Sequence, residues 1–534
     1  MRFNALTRDR LEKLSDRRLN RFQTSRAIAI SSAFNLGMHF AGPVVLRDLL
    51  PILDSEKLTS EQSAIFAWLV VKGSYPLPEE YEPVVQSVKR GEHLRGLAEA
   101  FLSRGSESKV SLIQLKQDLI DVTRYSAQRR ISGIPRVVKN LAFSEALQDS
   151  QLIVWEAGVP GIGARGSSGR VILNKVHWRR PHNNKGLLIG AYMRLSSRIG
   201  GTQIGLNVLE FLSTKLLPIA YRIIERSQKP TVALIPSDGQ RYYLPEVPDE
   251  SVSKRLLVLK RAFPALELRI IVHDLLPLTR PEFFSPRSSR EHIHFASLCA
   301  RADLLNVATE VLKKEVLDLL PLYSDGTLPD VKVLPLPISF LPPKLSKERG
   351  DSDTYDEKPF FVFFGGFEKR KALAELASYL ESVPTEEISY EILVLGAPWP
   401  EQGPETWSTA RRVLSLPRIF KVLGSVDDSN LLEIMTSCKA ILYLSHAEGF
   451  GLPILESLAF DKPVLTQDTK TNAELASNYG GVWHEFDFSN DLGRHMLNAL
   501  SDSQDPWGTL KVAKPSFTKL PHSIEDWARK VYEN

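Results

Sequence analysis

Short apolar runs separated by helix-length segments recur along this chain from about residue 111 onward, and that alternation admits few folds. The runs Leu119–Val122, Leu152–Trp155, Leu187–Ile189, Val232–Ile235, Leu268–Val272 and Leu304–Val307 have the length of strands. Strands with a helix between successive members build a parallel sheet covered by helices. The pattern pauses between Leu341 and Lys358, where prolines, Lys, Asp and Ser replace large apolar residues. It resumes with Phe360–Phe364, Ile392–Leu395, Ile441–Leu444 and Val464–Leu465. Two doubly wound α/β domains with parallel sheets are expected, over residues 111–340 and 359–534, joined by a linker at 341–358. They should face each other and hold ligand in the crevice at the strand C-terminal ends.

Residues 1–110 lack strand-like runs and read as a helical N-terminal domain. Leu11, Leu14, Leu19 and Phe22 share a side, while Arg8, Arg10, Arg17, Arg18, Arg21 and Arg26 crowd the same region. Such a basic face is either solvated or set against anionic lipid headgroups. The stretch Ala27–Leu46 is apolar enough to raise a membrane span, but Asn35, His39 and Pro43 favour a buried helix. The charge balance, 67 basic against 63 acidic residues for a net +4, gives no case for a nucleic-acid partner. Two distant cysteines, Cys299 and Cys438, support neither a disulfide framework nor a zinc site. The basic start lacks the apolar core and cleavage site of a secretory signal, so a reducing, cytoplasmic setting is expected.

Candidate chemistry concentrates in the second domain. Glu448-Gly449-Phe450-Gly451-Leu452-Pro453-Ile454-Leu455-Glu456 places two carboxylates around a glycine loop that follows the strand-like Ala440–Leu444. Pro453 suits a first helical turn, where its missing N–H costs nothing. The glycines let backbone approach a ligand, and free N–H groups at the helix start favour hydroxyl or phosphate oxygens. A bare spacing of this kind equally describes a Gly-rich turn with solvated glutamates. Phe364-Gly365-Gly366-Phe367-Glu368-Lys369-Arg370-Lys371 likewise runs a buried strand into glycines and then cations. Arg370 can hold two phosphate oxygens in its planar fork and Lys371 adds a mobile point charge, unless both are solvated. No Asp-x-Asp pair stands where it would hold a metal, so metal-independent chemistry without a cofactor is expected.

The context of these segments supplies more. Ser445-x-x-Glu448-Gly-Phe-Gly-Leu-Pro-x-x-Glu456, followed by Lys462-Pro463-Val464-Leu465, resembles the C-terminal signature of family 4 of the retaining glycosyltransferases. The resemblance implies the GT-B fold, two facing Rossmann-like domains. It implies Glu448 on the donor sugar and Glu456 on the ribose. The phosphates would lie on Arg370 and Lys371, with Gly365, Gly366, Gly449, Phe450, Gly451 and Leu452 forming the donor-binding loops. His273-Asp274-Leu275-Leu276-Pro277 is similar to the family's His-Asp-Leu-x-Pro segment, which puts His273 beside the donor sugar as the first domain's key catalytic residue; Asp274 would orient that loop or the imidazole, or else cap a turn. Asp121-Val122-Thr123-Arg124 and Ser132-Gly133-Ile134-Pro135-Arg136 resemble segments of bacterial surface-polysaccharide mannosyltransferases, with Gly133 approaching the donor. Glu474 falls where the family usually places an acid, and Asp461 stands where it commonly has glycine. Ile524–Ala528 resembles its last helix, which crosses back to the first domain.

The implied reaction moves a sugar, mannose foremost, from a nucleoside diphosphate sugar such as GDP-mannose to a glycan or lipid-linked glycan acceptor, with retention. Peripheral contact with the inner face of the membrane fits that setting. A sugar-nucleotide epimerase or a hydrolase on the same architecture, and a non-catalytic scaffold in glycan assembly, are the alternatives.

Overall fold

The computed structural model describes residues 8–34, 36, 44–102, 111–127, 134–157, 167–174, 232–324, 326–337, 358–396, 398, 405–424, 426, 428–521 and 523–533. The expected strand at Leu187–Ile189, the Gly133 turn and most of the 341–358 linker lie outside these residues. Among them, one sheet holds β1 (Ser111–Gln114), β2 (Leu119–Asp121), β3 (Gln151–Ala157), β4 (Ser167–Asn174), β5 (Val232–Ile235), β6 (Arg241–Leu244), β7 (Glu267–Val272), β8 (Leu304–Val307) and β9 (Asp330–Val333). Their spatial order is β1-β5-β4-β3-β2-β6-β7-β8-β9. Every neighbouring pair is parallel except at β4, which runs antiparallel to β3 and β5. The uniformly parallel sheet expected from the alternation is therefore corrected to a mixed one. An antiparallel return needs no crossover helix, so it leaves no strand-helix-strand signature. Its signal is the short apolar run Val171–Leu173.

The second sheet is wholly parallel, with β10 (Phe360–Phe364), β11 (Glu391–Leu395), β12 (Phe420–Val422), β13 (Ile441–Tyr443), β14 (Val464–Thr466) and β15 (Val482–Trp483). Its order is β12-β11-β10-β13-β14-β15, so the winding reverses between β10 and β13. The first sheet reverses between β2 and β6, which also pair directly. Loops leaving strand ends on either side of such a reversal diverge and open a crevice. Phe360 to Phe363 and Ile392 to Val394 are buried because helices cover both faces of the sheet.

The N-terminal segment is helical, with helices Arg8–Ser15, Arg21–Ala33, Ser60–Lys72, Pro78–Lys89 and His93–Leu102. Ser60–Lys72 starts on a reciprocal cap: Thr59 Oγ1 accepts from Gln62 N at 3.1 Å and Gln62 Oε1 accepts from Thr59 N at 3.0 Å. It ends on Gly73 in the left-handed region, φ +67°. This helix is buried from Ser63 to Lys72 and shares one core with Leu112, Ala233, Leu256 and Phe263 of the first α/β domain. The Tyr75 hydroxyl donates to the Leu234 carbonyl of β5. Arg26 departs from the expected basic face: it is fully buried, donating to the carbonyls of Val70 at 2.9 Å and Val71 at 3.1 Å. Those carbonyls close the last turn of Ser60–Lys72, where the helix dipole favours a cation. No helix among the described residues is long and apolar enough to cross a membrane, and the helix in Ala27–Leu46 ends at Ala33.

The C-terminal helix Ile524–Glu533 packs on the first domain. Glu525 Oε2 accepts from Glu145 N at 2.9 Å, Arg269 donates to the Tyr532 carbonyl at 2.7 Å, and Trp527 is buried between the halves. Two facing α/β domains bridged in this way are the GT-B arrangement.

Replacing Arg26 with Met strands the Val70 carbonyl and removes a cation from a helix C-terminus. Arg26→Met is expected to lower the free energy of unfolding by about 2 kcal/mol, read as a lower urea midpoint at unchanged slope.

Candidate functional site

The second domain contributes two loops, one on each side of its reversal. After β10 the chain passes Gly365 and Gly366 and tightens into a single turn at Lys369–Lys371. A Cβ on Gly396, at the end of neighbouring β11, would lie 2.0 Å from the Gly365 carbonyl oxygen, so only glycine lets these strand ends close up. After β13 the chain runs through Ser445 to Gly451, which caps the helix Leu452–Ala459 with φ +80°. Pro453 sits in its first turn, as the sequence predicts. His446 N donates to the Arg370 carbonyl at 3.0 Å and ties the loops together.

Between them stands a buried charge cluster. Arg370 Nη1 and Lys371 Nζ both donate to Glu448 Oε1, the lysine at 2.6 Å. Arg370 also donates to the Ala447 carbonyl at 2.8 Å, and Lys371 to the Tyr443 hydroxyl at 3.1 Å. Burial works to raise the Glu448 carboxyl, but Lys371 and Arg370 overcome it and hold it at about 2. Burial and the adjacent Arg370 pull Lys371 down, with Glu448 opposing. Glu368 Oε1 stands 3.6 Å from Arg370 Nη2, so two carboxylates balance two cations in this largely buried cluster at a strand end. Glu456 is half-buried on Leu452–Ala459, and Phe450 is buried against Ile454 and Leu475.

The first domain meets this loop directly. A Cβ on Gly449 would stand 1.9 Å from the His273 carbonyl oxygen and 2.8 Å from the Asp274 Cβ, so the two domains touch at the glycine loop. His273 follows β7, and its Nε2 lies 2.8 Å from the Pro245 carbonyl. A carbonyl only accepts, so Nε2 carries the hydrogen and Nδ1 of the neutral ring is the acceptor. Burial lowers the His273 pKa against the pull of that bond, which keeps the ring neutral at pH 7. Asp274 takes the turn-capping option: its Oδ1 accepts from Leu276 N at 3.1 Å. Phe283, on the same excursion, stacks on His446 across the cleft at 5.4 Å between centroids, and His446 Nε2 lies 3.0 Å from Glu375 Oε2.

Tyr242 and Glu246, which the sequence reading passed over, join Asp121 of the Asp121–Arg124 segment in knitting the first domain's own reversal. Asp121, at the end of β2, is buried and accepts from Thr123 N at 2.9 Å, the Thr123 hydroxyl, and the Tyr242 hydroxyl at 2.8 Å. Tyr242 in turn accepts from Trp155 Nε1 at 2.9 Å. Glu246, just beyond β6, is 4% exposed and accepts from Tyr125 N at 2.6 Å. Burial pushes the Glu246 carboxyl up to about 7, against its backbone hydrogen bonds, with Asp121 adding to the rise. The available signal was the β-favouring Arg241-Tyr242-Tyr243-Leu244 run ahead of Pro245-Glu246. Asp461, where the resembled family has glycine, adopts φ +58°, a left-handed conformation that a short polar side chain tolerates. Among the described residues no three His, Cys, Asp or Glu side chains converge as metal ligands do.

Residues 346–509 match the family model described as glycosyl transferases group 1. The chain is 25% identical over 248 residues to the serotype-specific mannosyltransferase WbdA of Escherichia coli, a match spanning 43% of this chain and 29% of that relative. It is 26% identical over 155 residues to the O-antigen chain mannosyltransferase B of Escherichia coli, across 29% of this chain and 40% of the relative. Among solved structures, sucrose-phosphate synthase from Thermosynechococcus elongatus aligns with 78% of this chain and 98% of its own at a TM-score of 0.46 and 13% identity. The fold assignment rests on the two sheets themselves.

Glu448→Gln leaves Lys371 without its paired carboxylate and Arg370 with only the longer contact to Glu368, and is expected to cost about 3 kcal/mol in a urea melt at pH 7. Because the folded Glu448 pKa lies below 4.5, its contribution is present above pH 4.5 and is lost as pH falls toward about 2. Glu246 has the opposite sign: its folded pKa is raised, so its contribution is complete below about pH 4.5 and disappears as pH rises through about 7. Melting temperatures of Glu246→Gln, which mimics the neutral acid, are expected to lack that fall between pH 4.5 and 7.

Proposed function

We propose that this chain, whose residues 346–509 match the family model of glycosyl transferases group 1, moves a glycosyl group from a nucleoside diphosphate sugar to a hydroxyl of a glycan acceptor, with retention at the anomeric carbon. The observation that carries the reading is the buried Glu448, Arg370 and Lys371 cluster at the reversal of the second sheet, faced by the His273 carbonyl of the other domain. In the donor complex Arg370 and Lys371 hold diphosphate oxygens, the guanidinium through its planar fork and the ammonium as a point charge. Glu448 accepts hydroxyls of the donor sugar through Oε2, Glu456 those of the ribose, and His273 Nδ1 one further sugar hydroxyl.

The acceptor oxygen forms its bond to the anomeric carbon while the bond from that carbon to the diphosphate oxygen breaks. The hydroxyl proton passes to that phosphate oxygen, and the nucleoside diphosphate leaves. Attack on the face of departure preserves the configuration. Negative charge builds on the leaving diphosphate, where the two preorganised cations offset it without a resident metal. The closed cleft excludes water and aligns the reactants. GDP-mannose as donor and a surface-polysaccharide acceptor are proposed because the curated relatives are named as mannosyltransferases, one of them of an O-antigen chain.

Thermal unfolding of the purified protein against GDP, UDP and dTDP, with and without EDTA, tests the reading, since a ligand of the folded state raises the melting temperature. GDP is expected to raise it, EDTA to leave the shift unchanged, and Arg370→Ala to abolish it. That variant should also turn over GDP-mannose 10²- to 10³-fold more slowly, roughly 3–4 kcal/mol of lost transition-state stabilisation. No shift with any of the three nucleotides would count against a transferase and for a scaffold.

A further inference from the structure

The helix Glu310–Leu319 in the first domain begins with N–H groups that its own cap does not fill. Thr309 Oγ1 accepts from Leu312 N at 3.1 Å, leaving the amides of Glu310 and Val311. Both are taken by one carboxylate from the second domain: Glu474 Oε1 accepts from Glu310 N at 2.9 Å and Glu474 Oε2 from Val311 N at 2.9 Å. Two charge-assisted bonds at a helix N-terminus are strong for their number, because the helix dipole adds to them. They cross the domain seam beside a cavity of about 210 Å³ lined by Thr309, Glu310, Phe450, Glu474, Leu475 and Lys519.

The two partners of this contact also hold the donor loop. Thr471 lies three residues before Glu474 on the helix Lys470–Tyr479, hence on the same face, and its hydroxyl donates to the Glu448 carbonyl at 3.0 Å. From the opposite domain, the Thr309 hydroxyl reaches the Gly449 carbonyl at 3.4 Å. Successive carbonyls of the donor loop are therefore held from the two sides of the cleft, next to the residues that join the sides.

We propose that Glu474 is a positioning residue that latches the two domains shut and thereby seats the Glu448–Gly449 loop for transfer. Its catalytic consequence rests on the glycosyl-transfer reading above. The latch itself does not. Opening the cleft releases both amides and withdraws Thr309 from Gly449, so the loop loses one of its two carbonyl anchors.

Hydrogen exchange at Glu310 and Val311 in the full chain tests it, together with GDP release from GDP-mannose with water as acceptor. In Glu474→Gln, exchange at those amides is expected to rise at least tenfold with the melting temperature within a few degrees of the parent. Turnover at saturating GDP-mannose should fall about tenfold while its KM changes less than threefold, a split that mere structural support would not produce. Glu474→Asp, which keeps the charge on a shorter arm, should recover part of both. Unchanged exchange overturns the latch, and faster exchange with full turnover overturns its coupling to the donor loop. Loss of the fold in Glu474→Gln also counts against it, because a latch across a seam leaves each domain intact. Should the parent protein release no GDP, amide exchange still decides the latch, and the failure falls on the donor proposed above.

Discussion

The pairing of Arg370 and Lys371 with Glu448 at the end of a parallel strand sets the terms for the rest of the molecule. Lys371 is buried and the Glu448 side chain is mostly so, and burial opposes the charge on each while the partner supports it. Their pairing requires β10 and β13 to be neighbours, since one brings Arg370 and Lys371 and the other brings Glu448. That adjacency exists only because the winding of the sheet reverses at this pair. The same reversal splays the two following loops and leaves room for a ligand above the cluster. Strand order, cluster and crevice are one arrangement seen at three scales.

The opposing domain repeats the logic with different chemistry. At its reversal, between β2 and β6, two buried carboxylates accept backbone and hydroxyl hydrogens instead of pairing with cations. Burial raises both acids, Glu246 to about 7, whereas on the facing wall two cations hold Glu448 low. Pro245 and Glu246 are consecutive: one carbonyl orients the His273 ring, and the next side chain secures the Thr123–Ala127 turn. The helical N-terminal segment supports this wall from behind, sharing a core with the edge of the sheet. Its Arg26 shows that a residue in a basic run is not thereby a surface residue when a helix end offers carbonyls in need of donors.

Much of the organisation was legible in the chain. The strands of the second domain are apolar along their length, and a continuous run such as Phe360–Phe364 has few alternatives to a doubly covered strand. The glycine loop before Pro453 announces a helix start, because both residue types have narrow conformational meaning. Three features were not legible. β4 pairs antiparallel, and pairing direction depends on which strand is already in place. β6 is short, and its Tyr242 and Tyr243 do not read as a buried run, so the reversal beside β2 went unseen with Glu246. Asp274 could cap a turn or orient an imidazole, and only the backbone path chose the turn.

The sequence by itself determined much of the local chemistry of this protein: the apolar strands of the second domain, where glycine permits close approach, and that Arg370, Lys371, Glu448 and His273 sit at strand ends. These follow from near-neighbour sterics and from hydrophobic period, which a linear reading can see. Only the tertiary structure decided that Arg370 and Lys371 are spent on Glu448, that the His273 carbonyl abuts Gly449, and that Glu474 closes a helix end in the other domain. Those contacts join residues 77 and 164 positions apart, or lie on different domains altogether. Electrostatic pairing of that kind depends on burial and on distance in space, and neither quantity is written in the order of the residues.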